Sequence, residues 1–398
     1  MRIGFDARPL VGPRTGVGAW LEGLLGGLAN STDWSFVGFL PRRTDLELPA
    51  PVRQRMQVSW PSLPLPGTLW LHTLAAGQIG SCVEVFLGTL AILPRRLATP
   101  GVAVVHDLTP RTHAGHHTVA NRFCFNAYLE ESVLAADAVV CVSHATRARL
   151  GELLPVQARA AAVISPGVDP FFFLPVATPR QETREKFAGG APFLVQLGTL
   201  EPRKGVVTLL EAHGRLLQRH PNSPALVLAG GRGWGGKRLE QALARHPAPG
   251  RVHLPGYVTR EEARALLAHA EIVVVASEEE GFGLPLAEAM ACGAVCVASD
   301  APALREVAGG AARHFPRGNS QALAAALEEV LQAPARDQLS ARARQQARRW
   351  RWEVVTPTWH ALLTEVARSR RHASSSDCPR PCPNGATSAA RRVGPPPR

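Results

Sequence analysis

The span Ile272–Asp300, IVVVASEEEGFGLPLAEAMACGAVCVASD, constrains the fold more tightly than any other stretch of the chain. Ile272–Ser277 opens it as an apolar, largely β-branched run, the pattern of a strand buried on both faces of a parallel sheet. Glu278, Glu279 and Glu280 then lead into Gly281-Phe282-Gly283. Pro285 suits a first helical position, Leu286, Ala289 and Met290 form an apolar stripe, and Gly293 stops the helix. Val295–Ser299 reads as the next strand. In such a strand-loop-helix unit the loop lies at the carboxyl ends of the strands, where open α/β sheets take ligands, and the first N–H groups of the helix point at an anion there. Glu280 in the loop and Glu288 in the first turns of the helix are predicted to face one cleft. A carboxylate accepts from two hydroxyls at once, so the pair suits a polyol better than a base or a lipid. Three consecutive glutamates before a helix also suit a solvated turn that favours the helix dipole, and spacing alone leaves both readings open.

A chain of 398 residues exceeds one comfortable core, which predicts two domains of roughly 170 residues each. A hydrophobic fraction of 45% and a mean hydropathy of −0.02 describe a soluble globular protein, and no apolar run approaches the ~18 residues of a membrane span. The start, Met1–Asp6, reads as a strand and not as the apolar core of a signal peptide. The net charge of +12 would point to nucleic acid if it were spread over the chain. Twelve arginines against three acids between Ala341 and Arg398 account for nine of those charges, leaving a nearly neutral body and no nucleic-acid partner. A basic end of this kind reads as a solvated tail that can also rest on anionic lipid headgroups. Seven cysteines, at 82, 124, 141, 292, 296, 378 and 382, are an odd number set mostly in apolar segments. They predict reduced core thiols in the cytoplasm, with a peripheral contact at the inner face of the membrane as a further expectation. Cys378 and Cys382, in a proline-rich tail without His or further Cys at ligand spacing, make only a weak zinc candidate, and no metal site is expected.

Along the chain, strands are predicted at Arg2–Ala7, Trp34–Leu40, Val83–Gly88, Val102–Asp107, Ala138–Ser143 and Ala162–Gly167, with Pro61–Pro66 as a loop. Gly12–Gly18 is a glycine-rich turn opening a helix to about Ala29. Its backbone can approach a phosphate, but its spacing is not the dinucleotide fingerprint. His106 ends a strand where ligands bind, although Asp107 beside it could simply satisfy the ring. A helix from about His116 to Ala136 is expected to pack through Phe123, Ala127 and Leu134. Ser143 reads as an N-cap ahead of any substrate contact. Pro170–Ala191 is the expected linker. The alternation restarts at Phe193–Gly198, and Arg203-Lys204 stands between that strand and a helix at Val206–Arg219, where a guanidinium fork and an ammonium can neutralise a diphosphate. Further strands at Ala225–Gly230 and Val252–Tyr257 follow, with Thr259 capping the helix begun by Glu261 and Glu262. Trp234 either stacks on a base or packs. Helices near Pro302–Ala308, Ser320–Gln332, Asp337–Arg349 and Trp350–Arg368 complete the pattern.

The arrangement Glu280-x7-Glu288 with GFGLP inside it resembles the retaining family 4 glycosyltransferases. Other motifs of the family stand earlier in the chain: VVHDLTP at 104–110, PGVD at 166–169 and GT-LEPRKG at 198–205. The resemblance covers about residues 1–368. It implies the α/β GT-B fold, two Rossmann-like parallel-sheet domains facing each other across a cleft, at 1–172 and 190–349. A helix at 350–371 would cross back to the first domain, with a disordered basic tail at 372–398. It further implies His106, Glu280, Arg203 and Lys204 as the catalytic set. Donor contacts would come from Gly16, Gly18, Gly198, Gly230, Gly281, Phe282, Gly283, Leu284 and Glu288, with Glu288 on the ribose hydroxyls and Glu280 on the sugar. The donor is then a nucleoside diphosphate sugar with no separate cofactor, and the acceptor a glycan or lipid-linked glycan in cell-surface polysaccharide synthesis. IGFDARPL…GVG, VHDLTP and GGRGWGG look most like the mannosyltransferase branch, which implies GDP-mannose. No Asp-x-Asp occurs in the chain, so nothing supplies the carboxylate pair of metal-dependent transferases; the resemblance implies retention at the anomeric carbon, with the departing phosphate as base. Leu87 in VFLGT departs from the polar or aromatic residue common in relatives and puts the acceptor in doubt. An epimerase or hydrolase of the same fold, and a non-catalytic nucleotide-sugar-binding module, remain the alternatives.

Overall fold

The structure, a computed structural model, describes residues 1–12, 15–80, 82–108, 128–334 and 336–371. The expected tail from His372, the expected helix start at His116 with Phe123 and Ala127, and Cys124, Cys378 and Cys382 lie outside the described residues. The chain divides into two compact units, one of Met1–Val105, Ala127–Val140 and Thr358–Arg398, the other of His106–Asn126 and Cys141–Pro357. Among the described residues no helix is long and apolar enough to cross a membrane.

Two open sheets organise the molecule. The first contains β1 (Arg2–Asp6), β2 (Ser35–Phe39), β3 (Met56–Ser59), β4 (Val85–Gly88), β5 (Gly101–Val105), β6 (Ala138–Cys141) and β7 (Ala162–Val163), in the order β3-β2-β1-β4-β5-β6-β7. β1 pairs in parallel with β2 and β4, setting Ile3 against Phe36 and Val85. The second contains β8 (Phe193–Leu197), β9 (Ala225–Ala229), β10 (Val252–Gly256), β11 (Ile272–Val275), β12 (Cys296–Ser299) and β13 (Arg313–Phe315), in the order β10-β9-β8-β11-β12-β13. Its pairings are all parallel. The continuous apolar runs FLVQL, ALVLA and IVVV became central strands because residues on both of their faces are buried. Each sheet reverses its strand order once, between β1 and β4 and between β8 and β11, and such a reversal opens a crevice at the carboxyl ends of the strands.

Several sequence expectations change. Leu134, expected on a packed face, is 55% exposed, whereas Leu129 and Val133 are buried; a helical face repeats every three to four residues, and Leu134 lies a hundred-degree step round from Val133. β3 and β13 were not foreseen because edge strands bury only part of their length and show no apolar run. Helices at Gly67–Thr73, Ala75–Ile79 and Gly236–Ala244 were also missed. Pro170–Ala191 is no plain linker: it contains the helix Arg180–Ala188, which buries Thr183 and Phe187 at i, i+4 spacing and ends on Gly189 in the left-handed region. Thr259 caps its helix as expected, and Glu262 completes a capping box with it. The C-terminal helix is Trp352–Arg371, with Pro357 inside it; within the first unit Trp359 packs on Trp20 at 5.8 Å and His360 stacks on Trp34 at 4.7 Å. Trp352, at the start of this helix, is buried under Gly167.

A buried histidine pair clamps the helix Val206–Arg219 to the loop after Gly236–Ala244. His213 Nε2 lies 2.9 Å from the Pro224 carbonyl, which can only accept, so Nε2 carries the proton. His213 Nδ1 must then accept from His246 Nε2 at 3.1 Å, and His246 Nδ1 accepts from the Ala248 amide at 3.2 Å. Every position in this relay is filled with both rings neutral, and protonating either ring would set two N–H groups against each other. Burial, opposed by the Pro224 hydrogen bond, pushes the His213 pKa down to about 4, and burial also lowers that of His246. A base depressed in the folded state contributes stability that is present above its unfolded value near 6.5 and is lost as pH falls towards 4. Urea denaturation is therefore expected to show a loss on the order of 3 kcal/mol between pH 7 and pH 4 that is absent from His213→Gln. An identical slope in the two proteins would refute the neutral relay.

Candidate functional site

The reversal in the second sheet brings two separate loops together. β8 ends at Leu197, and the turn Pro202–Lys204 follows, closed by Gly205 at φ 65°. β11 ends at Val275, and Ala276–Gly283 leads into the helix Leu284–Ala291. Since β8 and β11 are hydrogen-bonded neighbours, both loops leave the same edge of the sheet. A Cβ on Gly205 would fall 2.0 Å from the Ala276 carbonyl oxygen, so only glycine lets the turn seat this closely.

Glu280 is the centre of the charged cluster. Its carboxylate accepts from Lys204 Nζ at 2.6 Å and Ser277 Oγ at 2.7 Å, with Arg203 Nη1 at 3.5 Å. Arg203 in turn donates to one oxygen of Glu201 from Nε at 3.1 Å and Nη2 at 2.8 Å, and to the Glu279 carbonyl at 3.2 Å. Burial by itself would raise the Glu280 pKa; the charges of Lys204 and Arg203 and the hydrogen bonds from Lys204 and Ser277 outweigh it and leave it below its ordinary value. Burial likewise works against the Arg203 charge, and Glu280, Glu201 and Asp107 more than reverse it, so the guanidinium is held more firmly protonated. The result is two fixed cations and a fixed carboxylate with little exposure to water.

The residues that hold this cluster were not all visible in the sequence. Gln196, buried in β8, donates to the Lys204 carbonyl at 3.0 Å and accepts from the Ala276 amide at 3.3 Å, tying both loops to one strand. A lone amide inside the apolar run FLVQL was the available signal. Ser143 caps the helix His144–Leu153, as expected, by accepting from the Thr146 amide at 3.0 Å. Its hydroxyl also reaches the Gly281 carbonyl, to which Thr146 Oγ1 donates at 2.9 Å. Glu306 accepts from the amides of His144 and Ala145 at 3.0 and 3.2 Å, fixing the same helix start. The Gly281 carbonyl, one residue after Glu280, is thus pinned by two hydroxyls. Thr146→Val, which keeps the shape and removes one of them, is expected to lower donor turnover about fivefold with little change in KM. Thr146→Ser should restore it, and a KM effect alone would argue against a positioning role.

The remaining expected site residues fall in different surroundings. His106 follows β5 and its carbonyl lies against Gly281. Phe282 is buried and packs edge-on against Trp350 at 5.2 Å, which makes its ring part of the core, while Gly283 caps the helix that Leu284 starts. Gly198 and Gly230 directly follow β8 and β9, with the Gly198 carbonyl directly over Gly230. Gly16 and Gly18 open the helix Gly16–Ser31 in the other unit, and the Gly18 amide is taken by the Thr15 hydroxyl at 3.3 Å. Glu288 does not join Glu280 on the Arg203–Lys204 turn. Burial and the Asp169 carboxylate push its carboxyl up to about 8 against the pull of Arg260, so at neutral pH it is protonated.

Residues 178–350 match the glycosyl transferases group 1 and residues 81–171 match glycosyltransferase family 4. The O-antigen chain mannosyltransferase B of Escherichia coli is 30% identical over 280 residues, which are 68% of this chain and 72% of that protein. The serotype-specific mannosyltransferase WbdA of Escherichia coli is 27% identical over 290 residues, 69% of this chain but 34% of that longer protein, so the chain spans about a third of its length. The crystal structure of Anabaena Alr3699/HepE in complex with UDP-glucose superposes with a TM-score of 0.70 over 92% of this chain and 100% of that one. At 20% identity this likeness carries the fold alone, and the fold is the expected GT-B class of two Rossmann-like parallel-sheet domains.

Proposed function

Because the chain belongs to the group 1 glycosyltransferases of family 4, we propose that it moves mannose from GDP-mannose to a glycan or lipid-linked acceptor in cell-surface polysaccharide synthesis, with retention at the anomeric carbon and no metal. The observation that carries the reading is the Lys204–Glu280 contact of 2.6 Å with Arg203 beside it, at the crevice where the strand order reverses. Breaking the bond to a nucleoside diphosphate places growing negative charge on the leaving phosphate. Cations already fixed and desolvated stabilise that charge without reorganising at the moment of reaction. Glu280 holds Lys204 and Arg203 in place and keeps lone pairs for a hydroxyl of the donor sugar. The chain has no Asp-x-Asp pair to bring a metal to the diphosphate, which leaves this work to Arg203, Lys204 and helix N-termini. His106 steadies the sugar. Glu288, protonated at neutral pH, can both donate to and accept from the ribose hydroxyls. Mannose as the sugar and a polysaccharide as the product rest on the two named mannosyltransferase relatives and on the GGRGWGG and VHDLTP segments.

A thermal-shift screen of GDP-mannose, UDP-glucose and UDP-GlcNAc against their bare diphosphates tests the donor. With that donor, Glu280→Ala is expected to cut turnover about a hundredfold or more while Glu288→Ala mainly raises the donor KM. Full activity in both variants would refute the assignment. Fast donor breakdown without acceptor would instead favour an epimerase or hydrolase.

A further inference from the structure

Behind the Arg203–Lys204 turn lies a groove of about 560 Å³ that has no part in the chemistry above. Two helices form its walls. Val206–Arg219 contributes Thr208, Glu211, Arg215 and Gln218, and Gly236–Ala244 with the residue after it contributes Arg238, Gln241 and Arg245. Spacings of three and four place each set on one helical face, so two polar stripes confront each other. Neighbouring helices usually close such a space with apolar side chains; here the polar stripes share an open lining with Pro202, Val207, Leu210, Ala242 and Pro247.

The charges in the groove are unbalanced and unpaired. Among the described residues, the side chains of Arg215, Arg238 and Arg245 make no hydrogen bond or ion pair, and neither do those of Glu211 and Glu278 on the same lining. His246, also on the lining, is neutral within its relay with His213. Three guanidinium groups against two carboxylates leave the lining with a surplus of one positive charge, which favours an anion. The guanidinium fork matches the oxygens of a phosphate. The two carboxylates accept only, and would repel a bare anion but take hydroxyl donors. A volume within the usual range of small-molecule sites accommodates both halves of one molecule.

We infer that this groove is a second ligand site, for a small phosphorylated polyol such as a sugar phosphate, set behind the turn that carries Arg203 and Lys204. Pro202 and Gly205 line the groove while the two residues between them engage Glu280. A ligand there therefore touches the back of the catalytic turn without entering the donor site.

Isothermal titration of the full chain with mannose 6-phosphate as probe tests this without requiring sugar transfer. Saturable binding is expected in the wild type and in Lys204→Ala, weakened at least about tenfold in the double variant Arg215→Glu/Arg245→Glu. Mannose should not bind and inorganic phosphate should bind more weakly than the probe. Both arginines are exposed and without partners, so the double variant should keep the wild-type melting temperature and donor turnover. Absence of saturable binding would overturn the proposal. So would binding lost in Lys204→Ala but kept in the double variant, which would move the probe to the donor side of the turn, or inorganic phosphate binding as tightly as the sugar phosphate.

Discussion

Lys204→Met is expected to lower donor turnover by about a hundredfold to a thousandfold, the usual loss when one preorganised group facing a developing charge is removed. Two effects combine. The ammonium 2.6 Å from Glu280 is lost to the leaving diphosphate, and the buried Glu280 carboxylate loses its strongest opposing charge. With Lys204 in place the Glu280 pKa lies below its ordinary value, so the carboxylate stays ionised until pH falls well into the acid range. In the variant, burial dominates and the pKa moves up, so the acid limb of the turnover profile should shift to higher pH. Arg203 remains, and the variant should retain measurable donor binding. Turnover within about threefold of the wild type, or an unmoved acid limb, would remove Lys204 from the reaction.

Gly281→Ala is expected to damage both the fold and the site. A Cβ at this position would lie 1.7 Å from the His106 carbonyl oxygen, and backbone cannot swing aside as a long side chain can. Either the strand end carrying His106 or the loop carrying Glu280 must move. Overpacking of this kind costs about 3 kcal/mol, which should lower the melting temperature by roughly 5–10 °C. The shift would also pull the Gly281 carbonyl from the Ser143 and Thr146 hydroxyls, so turnover at saturating donor should fall well beyond what the stability loss explains. A variant that melts and turns over like the wild type would mean that the close approach is not maintained in solution.

Much of the second unit could be read from local pattern. The helices Val206–Arg219, Pro302–Ala308 and Ser320–Gln332 run as predicted, because each carries its own apolar stripe and end signals within a dozen residues. β8, β9 and β11 are apolar on both faces and announced themselves. What escaped were elements whose signal is half missing: β3 and β13 at sheet edges, short helices around prolines, and the helix Arg180–Ala188 in an apparent linker. The candidate site shows the same division. Glu280, Arg203 and Lys204 stood out because charged groups interrupt strand-helix boundaries, whereas Phe282 shared their motif and turned out to pack on Trp350.

The sequence by itself determined that two parallel α/β units would form and that acids and cations would sit at their loop ends, since hydrophobic period and helix-start chemistry act over neighbouring residues. Only the tertiary structure decided which loops meet. Lys204 and Glu280 are separated by 76 positions, and Ser143 and Gly281 by 138, and no local preference links them. The first contact follows from the pairing of β8 with β11, and both loops depend on the absence of a side chain at Gly205 and Gly281, which lets backbones approach to a distance that any Cβ would forbid.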